Sequence, residues 1–305
     1  MAAAAIPPVF DTDFAPGTGS PVEVATGVLR VAAPNRGPYT FTGTNSFLLG
    51  GDPLALVDPG PDDPAHLGAL LQAIGGRSVA AILLTHTHKD HSALAPRLKA
   101  ETGAPVWFGG RHRLSRKPRP FEWNAVDGAS DWALEPDRTL TDRDILEIGG
   151  TQIEVIATPG HCANHLCFGL PDTGRLLSGD HVMGWNSTLV SVPDGSMADY
   201  LDSLRKLIAL PYRHYLPAHG GAIEDGPDYT RALLAHREMR NAQIAEAVRG
   251  GARRLGELLQ AIYPKLSLAL VPAALMVLKA HIEYLEDAGI VSVRRGVTGT
   301  TIRLA

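Results

Sequence analysis

Between Thr85 and His91 the chain reads Thr85-His86-Thr87-His88-Lys89-Asp90-His91, three histidines and an aspartate within six positions. Neutral imidazoles with one carboxylate are the ligand set that a borderline-soft divalent ion such as zinc prefers. Imidazoles this close with no shared cation would repel when protonated and would need separate partners when buried. The cluster therefore predicts a metal site. Three more ligand-type residues, His161, Asp180 and His219, each stand where an apolar run ends. Together they make seven candidate ligands, enough for two ions. A natural partition gives one ion His86, His88 and His161 and the other Asp90, His91 and His219. Asp180 would bridge them, because a carboxylate has two oxygens.

The elements that must position these groups are short. Ala80–Leu84 is a wholly apolar run ending at a polar cluster, which predicts a buried strand delivering His86 and His88 to one side of a sheet rim. Strands are expected at 28–31, 46–49 and 54–57, the last two joined by the turn Gly50-Gly51-Asp52-Pro53. Asp63 reads as an N-cap with Pro64 at the first helical position, and Gly75 as the stop of that helix. A further helix closed by Gly103 and a strand at 105–108 complete an alternation of strands and helices, hence an α/β architecture. Hairpins follow at 145–156, around Gly149-Gly150, and at 166–180. Ser196 with Asp199 predicts a helix start, and a strand near 214–216 delivers His219.

Residues 109–144 lack periodicity and contain Arg111, Arg113, Arg116, Lys117 and Arg119, then Phe121 and Trp123. So long an irregular insert is expected to wall or cover a site, with the arginines gripping phosphates or carboxylates as one reading and a solvated loop as the other. The character changes near Asp228. A long helix to Val248, two shorter helices and a closing hairpin suggest a winged-helix-like unit, dividing the chain into domains at 1–228 and 229–305. From Arg237 onward ten Lys/Arg face six Asp/Glu, so that segment carries +4 while the rest carries −8.

With 305 residues the chain can bury a full core, and its net charge of −4 does not favour a nucleic-acid or anionic-membrane partner for the molecule as a whole. Residues 1–20 read as an irregular arm with no convincing signal peptide. No apolar run is read as reaching the roughly 18 residues that would span a bilayer, so no membrane association is expected. Cys162 and Cys167 are the two cysteines, which argues against a disulfide framework and makes the cytoplasm the expected compartment. Cys162 neighbours a ligand but points the other way and is expected to pack.

The order His-x-His-x-Asp-His, isolated His, Ser178-Gly179-Asp180 and late Gly-flanked His219 resembles the metallo-β-lactamase superfamily over roughly residues 25–225. The resemblance implies a four-layer αββα sandwich with the metal site at one edge of its two sheets, and His86, His88, Asp90, His91, His161, Asp180 and His219 as ligands. An aspartate at the bridging position is similar to glyoxalase II-like and nuclease-like members, so antibiotic hydrolysis is not the favoured activity. Gly43-Thr44-Asn45-Ser46-Phe47, the stretch His236-Arg237-Glu238-Met239-Arg240 and the tail resemble the β-lactamase-like protein 2 subgroup, some of whose members cut single-stranded RNA while related ones act as thioesterases.

The expected activity is that of a di-zinc hydrolase, with iron or manganese tolerated by the same ligands. Two ions about 3.5–4 Å apart share a water, lower its pKa toward 7 and direct hydroxide at a phosphodiester or an ester or thioester. Asp90 would orient that nucleophile and collect its proton. His165 is expected to support the site, and His181 is a weaker candidate for proton donation to a leaving group. Trp185, Asn186, Arg237 and Arg240 are candidates for lining the substrate cleft. The partner is then a small molecule or single-stranded nucleic acid, and a homodimer is compatible with the sequence. The alternatives are a thioesterase or glyoxalase II-like hydrolase of small thioesters, and a nucleic-acid-binding winged-helix protein with an inactive core.

Overall fold

The computed structural model describes residues 8–296 and 299–305. Part of the expected N-terminal arm lies outside them; residues 8–17 have no regular structure. The chain first builds β1 (Pro21–Ala25), β2 (Val28–Ala32), β3 (Asn45–Leu49), β4 (Leu54–Val57), α1 (Pro64–Ile74) and β5 (Val79–Leu83). The short helices α2 (Lys89–Ser92) and α3 (Ala95–Thr102) follow, then β6 (Val106–Phe108) and β7 (Arg138–Thr139). These seven strands form one sheet in sequence order, antiparallel as far as β4 and parallel from β4 to β7. The parallel run exists because α1 carries the chain back across the sheet. Asp63 caps it by accepting from the His66 amide, and Gly75 ends it in the left-handed conformation.

A second sheet contains β8 (Ile145–Ile148), β9 (Thr151–Ala157), β10 (Leu166–Leu170), β11 (Arg175–Gly179) and β12 (His214–Pro217). Helix α4 (Met197–Ile208) connects β11 to its parallel neighbour β12. Val57, Leu83 and Phe47 of the first sheet meet Val155, Phe168 and Leu177 of the second, forming a core between the sheets. Helices α1 and α3 cover the outer face of the first sheet and α4 that of the second. This is the expected αββα sandwich. Each fully buried Leu or Val contributes about 1.5–3 kcal/mol relative to exposure, so the inter-sheet layer is a principal source of stability.

Beyond β12 come α5 (Gly226–Arg249), α6 (Leu255–Ile262), α7 (Val271–Asp287) and the ribbon β13 (Val291–Gly296) with β14 (Gly299–Leu304). Ile244, Val248, Leu258, Leu278, Ile282, Val291 and Ile302 give this unit a core of its own. Ala280 also packs with Leu233 and Tyr200 against the second sheet's helix layer. One expectation is corrected here. Residues 268–287 are long and apolar enough to cross a membrane by length and composition, with mean hydropathy 1.5. The sequence reading missed this because Lys279 and Glu283 interrupt the run. Helix α7 is packed on two sides, through Leu278, Ile282 and Leu285 in the core of its own unit and through Ala280 against the second sheet's helix layer.

Candidate metal centre

The strand ends converge as the sequence requires. His86 and His88 lie just past β5, with Asp90 and His91 on α2; His161 follows β9, Asp180 follows β11 and His219 follows β12. Ligand atoms of His86, His88 and His161 lie within 4.8 Å of one another, as do those of His86, His91 and Asp180, and those of Asp90, His91 and His219. His219 Nε2 is 3.3 Å from both Asp90 Oδ2 and Asp180 Oδ1. Asp180 Oδ1 also faces His91 Nε2 at 3.6 Å, while Oδ2 faces His161 Nε2 at 3.7 Å. Asp180 thus turns one oxygen to each half of the cluster, the placement a bridging ligand needs.

Each imidazole is held from behind by an oxygen, and this fixes which nitrogen faces inward. His88 Nε2 donates to Asp194 Oδ2 at 3.1 Å and His161 Nδ1 to Leu189 O at 2.7 Å. His91 Nδ1 donates to Asp58 Oδ2 at 3.0 Å, and His219 Nδ1 to Gly43 O at 3.1 Å. The Thr85 hydroxyl donates to Asp58 Oδ2, so it accepts from His86 Nδ1 at 3.0 Å.

With those protons placed, the lone pairs of His88 Nδ1, His86 Nε2 and His161 Nε2 point at one another. His88 Nδ1 is 3.1 Å from His86 and 2.9 Å from His161. Three acceptors facing each other without a proton between them are repulsive; a shared cation makes them attractive. In the other half, His91 Nε2, His219 Nε2 and Asp180 Oδ1 are buried without hydrogen-bond partners. The residues fit divalent cations.

Electrostatics differ between the halves. Burial, reinforced by His91, His88 and His161, pushes His86 well below the ordinary imidazole value, and burial beside His88 lowers His161 to about 4. Burial would also lower His91 and His219, but the carboxylates outweigh it. Asp90, Asp180 and Asp58 hold His91 well above its ordinary value, and Asp180 and Asp90 raise His219 to about 9. Burial opposes ionisation of Asp90 and Asp180, yet these histidines keep both well below the usual carboxylate range. Without a cation, His86 and His161 favour the neutral ring, whereas His91 and His219 favour holding protons that a cation would displace.

The backbone around these ligands is tightly specified. Gly179 has φ +53°, and a Cβ there would lie 2.6 Å from His165 Nε2 and 2.9 Å from Thr85. His165 fills that space. Its Nε2 accepts the Asp180 amide at 3.2 Å and its Nδ1 meets the Thr158 hydroxyl at 2.8 Å, a supporting position as expected. Asn45 Nδ2 donates to Pro217 O and Gly220 O, tying β3 to the loop that carries His219. The insert packs over the metal loop through the Asp131 amide on Thr87 O and Lys89 Nζ on Gly128 O, and Trp132 stands edge-on to His112 at 4.4 Å.

Several expected roles change. Arg237 is 2% exposed, donates to Thr188 O and lies over the Tyr200 ring at 5.3 Å. Thr188 in turn donates to Asp180 O and His181 O. Arg237 therefore supports the segment carrying Asp180 instead of presenting its charge to a cleft. Arg240 lies over Tyr263 and donates to Gln243 and Ile262 O. Trp185 is half-buried and stacks on Phe41 with ring centroids 4.9 Å apart, while Asn186 is exposed.

His181 is fully buried under Tyr200 with both nitrogens unpartnered, and burial lowers it to about 3, so a proton-donor role is not supported. The Cys162 thiol is buried and donates to Asn164 Oδ1 at 3.3 Å. Arg116 and Arg119 are bound by Glu122, Glu283 and Glu286, Arg111 pairs with Glu135, and Arg113 donates to Gly109 O and Ala163 O. The four arginines of the basic run are consumed by the fold, while Lys117 is exposed.

Sequence reasoning missed Asp58 and Asp194. Asp58 at the end of β4, with φ +50°, serves Thr85 and His91 at once. Its signal was the run Asp58-Pro59-Gly60 closing a buried strand. Asp194 also accepts from His112 Nε2 at 2.8 Å, and nothing local marked it.

A family model for the metallo-beta-lactamase superfamily matches residues 39–219. Among curated proteins, the lactamase-like protein AptB of Emericella nidulans is 28% identical over 228 residues, which cover 73% of this chain and 65% of AptB. The lactamase-like protein VrtG of Penicillium aethiopicum is 28% identical over 272 residues, 86% of this chain and 81% of VrtG. A metallo-beta-lactamase family protein from Thermus thermophilus superposes with a TM-score of 0.75 at 26% identity, covering 92% of this chain and all of the other. A beta-lactamase domain protein from Burkholderia ambifaria gives 0.79 at 23% identity over 96% of both chains, a likeness of fold that extends through the C-terminal helices.

Proposed function

The chain belongs to the metallo-beta-lactamase superfamily, a family of metal-dependent hydrolases, and from that premise we propose that it hydrolyses an ester or thioester carbonyl at a centre holding two zinc ions. Iron or manganese would suit the same donors. The observation that carries the reading is the ring orientation: five histidines each hold an oxygen with one nitrogen and turn the other into a common space shared with Asp90 and Asp180.

Divalent cations, when bound, supply the charge that acidifies water and stabilises a developing oxyanion. His86, His88 and His161 would hold one ion, Asp90, His91 and His219 the other, and Asp180 both. Asp90 has the more exposed side chain of the two site carboxylates, 28% against 9% for Asp180. It can therefore orient a water at the mouth and take its proton. Trp185 stacks on Phe41 and lies against Gly220, next to His219, and Trp132 follows Asp131, whose amide bonds Thr87 between His86 and His88; aromatic rings this near the ligands favour an apolar or aromatic acyl group. The insert arginines, already paired, leave no row of free cations to track a polyanion.

Phosphodiester hydrolysis is the second reading, favoured by one observation. Arg294 and Arg303 lie on the outward face of the terminal ribbon, diagonal across it and opposite Thr301 and Ser292. The tail and the His236–Arg240 stretch also support placement in the β-lactamase-like protein 2 subgroup. A panel of acyl thioesters, S-lactoylglutathione and single-stranded RNA oligomers with the zinc-loaded protein separates the readings. Thioester turnover without RNA cleavage is expected; RNA cleavage with thioesters untouched would reverse the order.

A further inference from the structure

A cavity of about 870 Å³ lies between the insert and the C-terminal unit. Phe121 and Val192 line one side and Leu255, Ile282 and Val293 the other, so its walls are largely apolar. Its size falls in the range of small-molecule sites. The insert wall is fixed. Glu122 receives Arg116 and the Arg119 amide, Glu283 of α7 receives Arg116 and Arg119, and Glu286 receives Arg119 and Arg295 of β13. Three guanidinium groups and three carboxylates balance to zero.

Lys279 also lines the cavity. It sits four residues before Glu283 on α7, the spacing of a helical ion pair, yet Glu283 is taken by the two arginines. Among the described residues Lys279 enters no ion pair, which leaves it the one unbalanced charge on an otherwise neutral rim. Phe121, at the same rim, is fully exposed (107%) and holds φ +62°, a left-handed conformation rare for an aromatic residue. An apolar ring kept in water on strained backbone is costly unless something covers it.

We infer that this cavity binds an apolar carboxylate, its body among Phe121, Val192, Leu255, Ile282 and Val293 and its charged end at Lys279. The single surplus positive charge calls for one negative charge, and the lining calls for an alkyl or aromatic body. The C-terminal unit then supplies one wall of a binding site, whether or not the metal centre cleaves esters.

Isothermal titration of the full-length, zinc-loaded protein with decanoate tests this directly. Saturable one-to-one binding is expected. Val293→Trp, which fills the space from the ribbon, abolishes it. Lys279→Ala weakens decanoate roughly fivefold, the worth of an exposed ion pair, and leaves decanol unchanged. Phe121→Ala, whose exposed ring contributes nothing to the fold's core, weakens both ligands. Zinc content and circular dichroism of the variants confirm folding. Absence of saturable heat with wild type would overturn the inference. So would wild-type decanoate affinity in both Val293→Trp and Lys279→Ala, which would place the ligand outside this cavity.

Discussion

Asp194 Oδ2 accepts from His88 Nε2 at 3.1 Å across 106 positions of sequence, while its Oδ1 takes His112 at 2.8 Å. The carboxylate lies fully buried between two rings. Burial opposes its ionisation, but His112 and His88 more than offset this and hold it well below the usual carboxylate range. By fixing the His88 proton on Nε2, it turns the Nδ1 lone pair toward His86 and His161.

On the two-ion proposal, Asp194→Asn should therefore weaken the ion at His86, His88 and His161 by roughly 10–100-fold, the usual cost of losing an outer hydrogen bond to a ligand. The second ion, held by Asp90, His91 and His219, should remain. Metal analysis after dialysis against a weak chelator reads this as one ion per chain. Loss of both ions, or of neither, would contradict the role assigned to Asp194.

Asp180→Ala should remove both ions, because the two Asp180 oxygens face opposite halves of the cluster. Turnover should fall by roughly 10²–10³-fold or more, the scale on which loss of a group stabilising transition-state charge is felt. Retention of both metals in elemental analysis would show that the carboxylate does not bridge.

Proton release on metal binding should depend on pH with a definite sign. His219 is raised to about 9 in the metal-free chain, so its stabilising contribution is fully present below the ordinary imidazole value of about 6.5 and is lost as pH rises through 9. A cation must displace that proton at neutral pH and meets progressively less of it as pH passes through 9. Calorimetry of zinc binding in buffers of different ionisation enthalpy should show more proton release at pH 7 than at pH 9.5. Chelated protein should lose stability across the same interval.

Glu283→Ala should destabilise without emptying the metal centre. It strips Arg116 and Arg119 of a shared carboxylate that is 13% exposed, intermediate between a surface and a buried pair, so about 2 kcal/mol is expected. For a chain of this size that is a melting temperature lower by about 4–8 °C. Metal content should be unchanged. A simultaneous loss of zinc would mean that the C-terminal unit helps to build the site.

The ligand set and the sandwich were legible because their determinants are local. Four donors fall within six positions after a five-residue apolar run, and His161, Asp180 and His219 each follow a strand whose apolar pattern marks it. Alternation along a strand and the exit from a sheet are properties of a few adjacent residues, so sequence alone places those donors at a common rim. The caps at Asp63 and Ser196 were readable for the same reason.

What holds the rings is not local. Asp58 serves His91 across 33 positions and Asp194 serves His88 across 106, and no spacing rule connects such pairs. Arg116 and Arg119 looked like free cations until the fold brought Glu283 to them, and Arg237 looked like a substrate arm until α5 buried it beneath Thr188. Residue type and short-range pattern determined which donors reach the centre. Only long-range packing, which decides where a partner's proton or charge is available, determined which nitrogen faces inward, which charges are already satisfied, and that Lys279 is not.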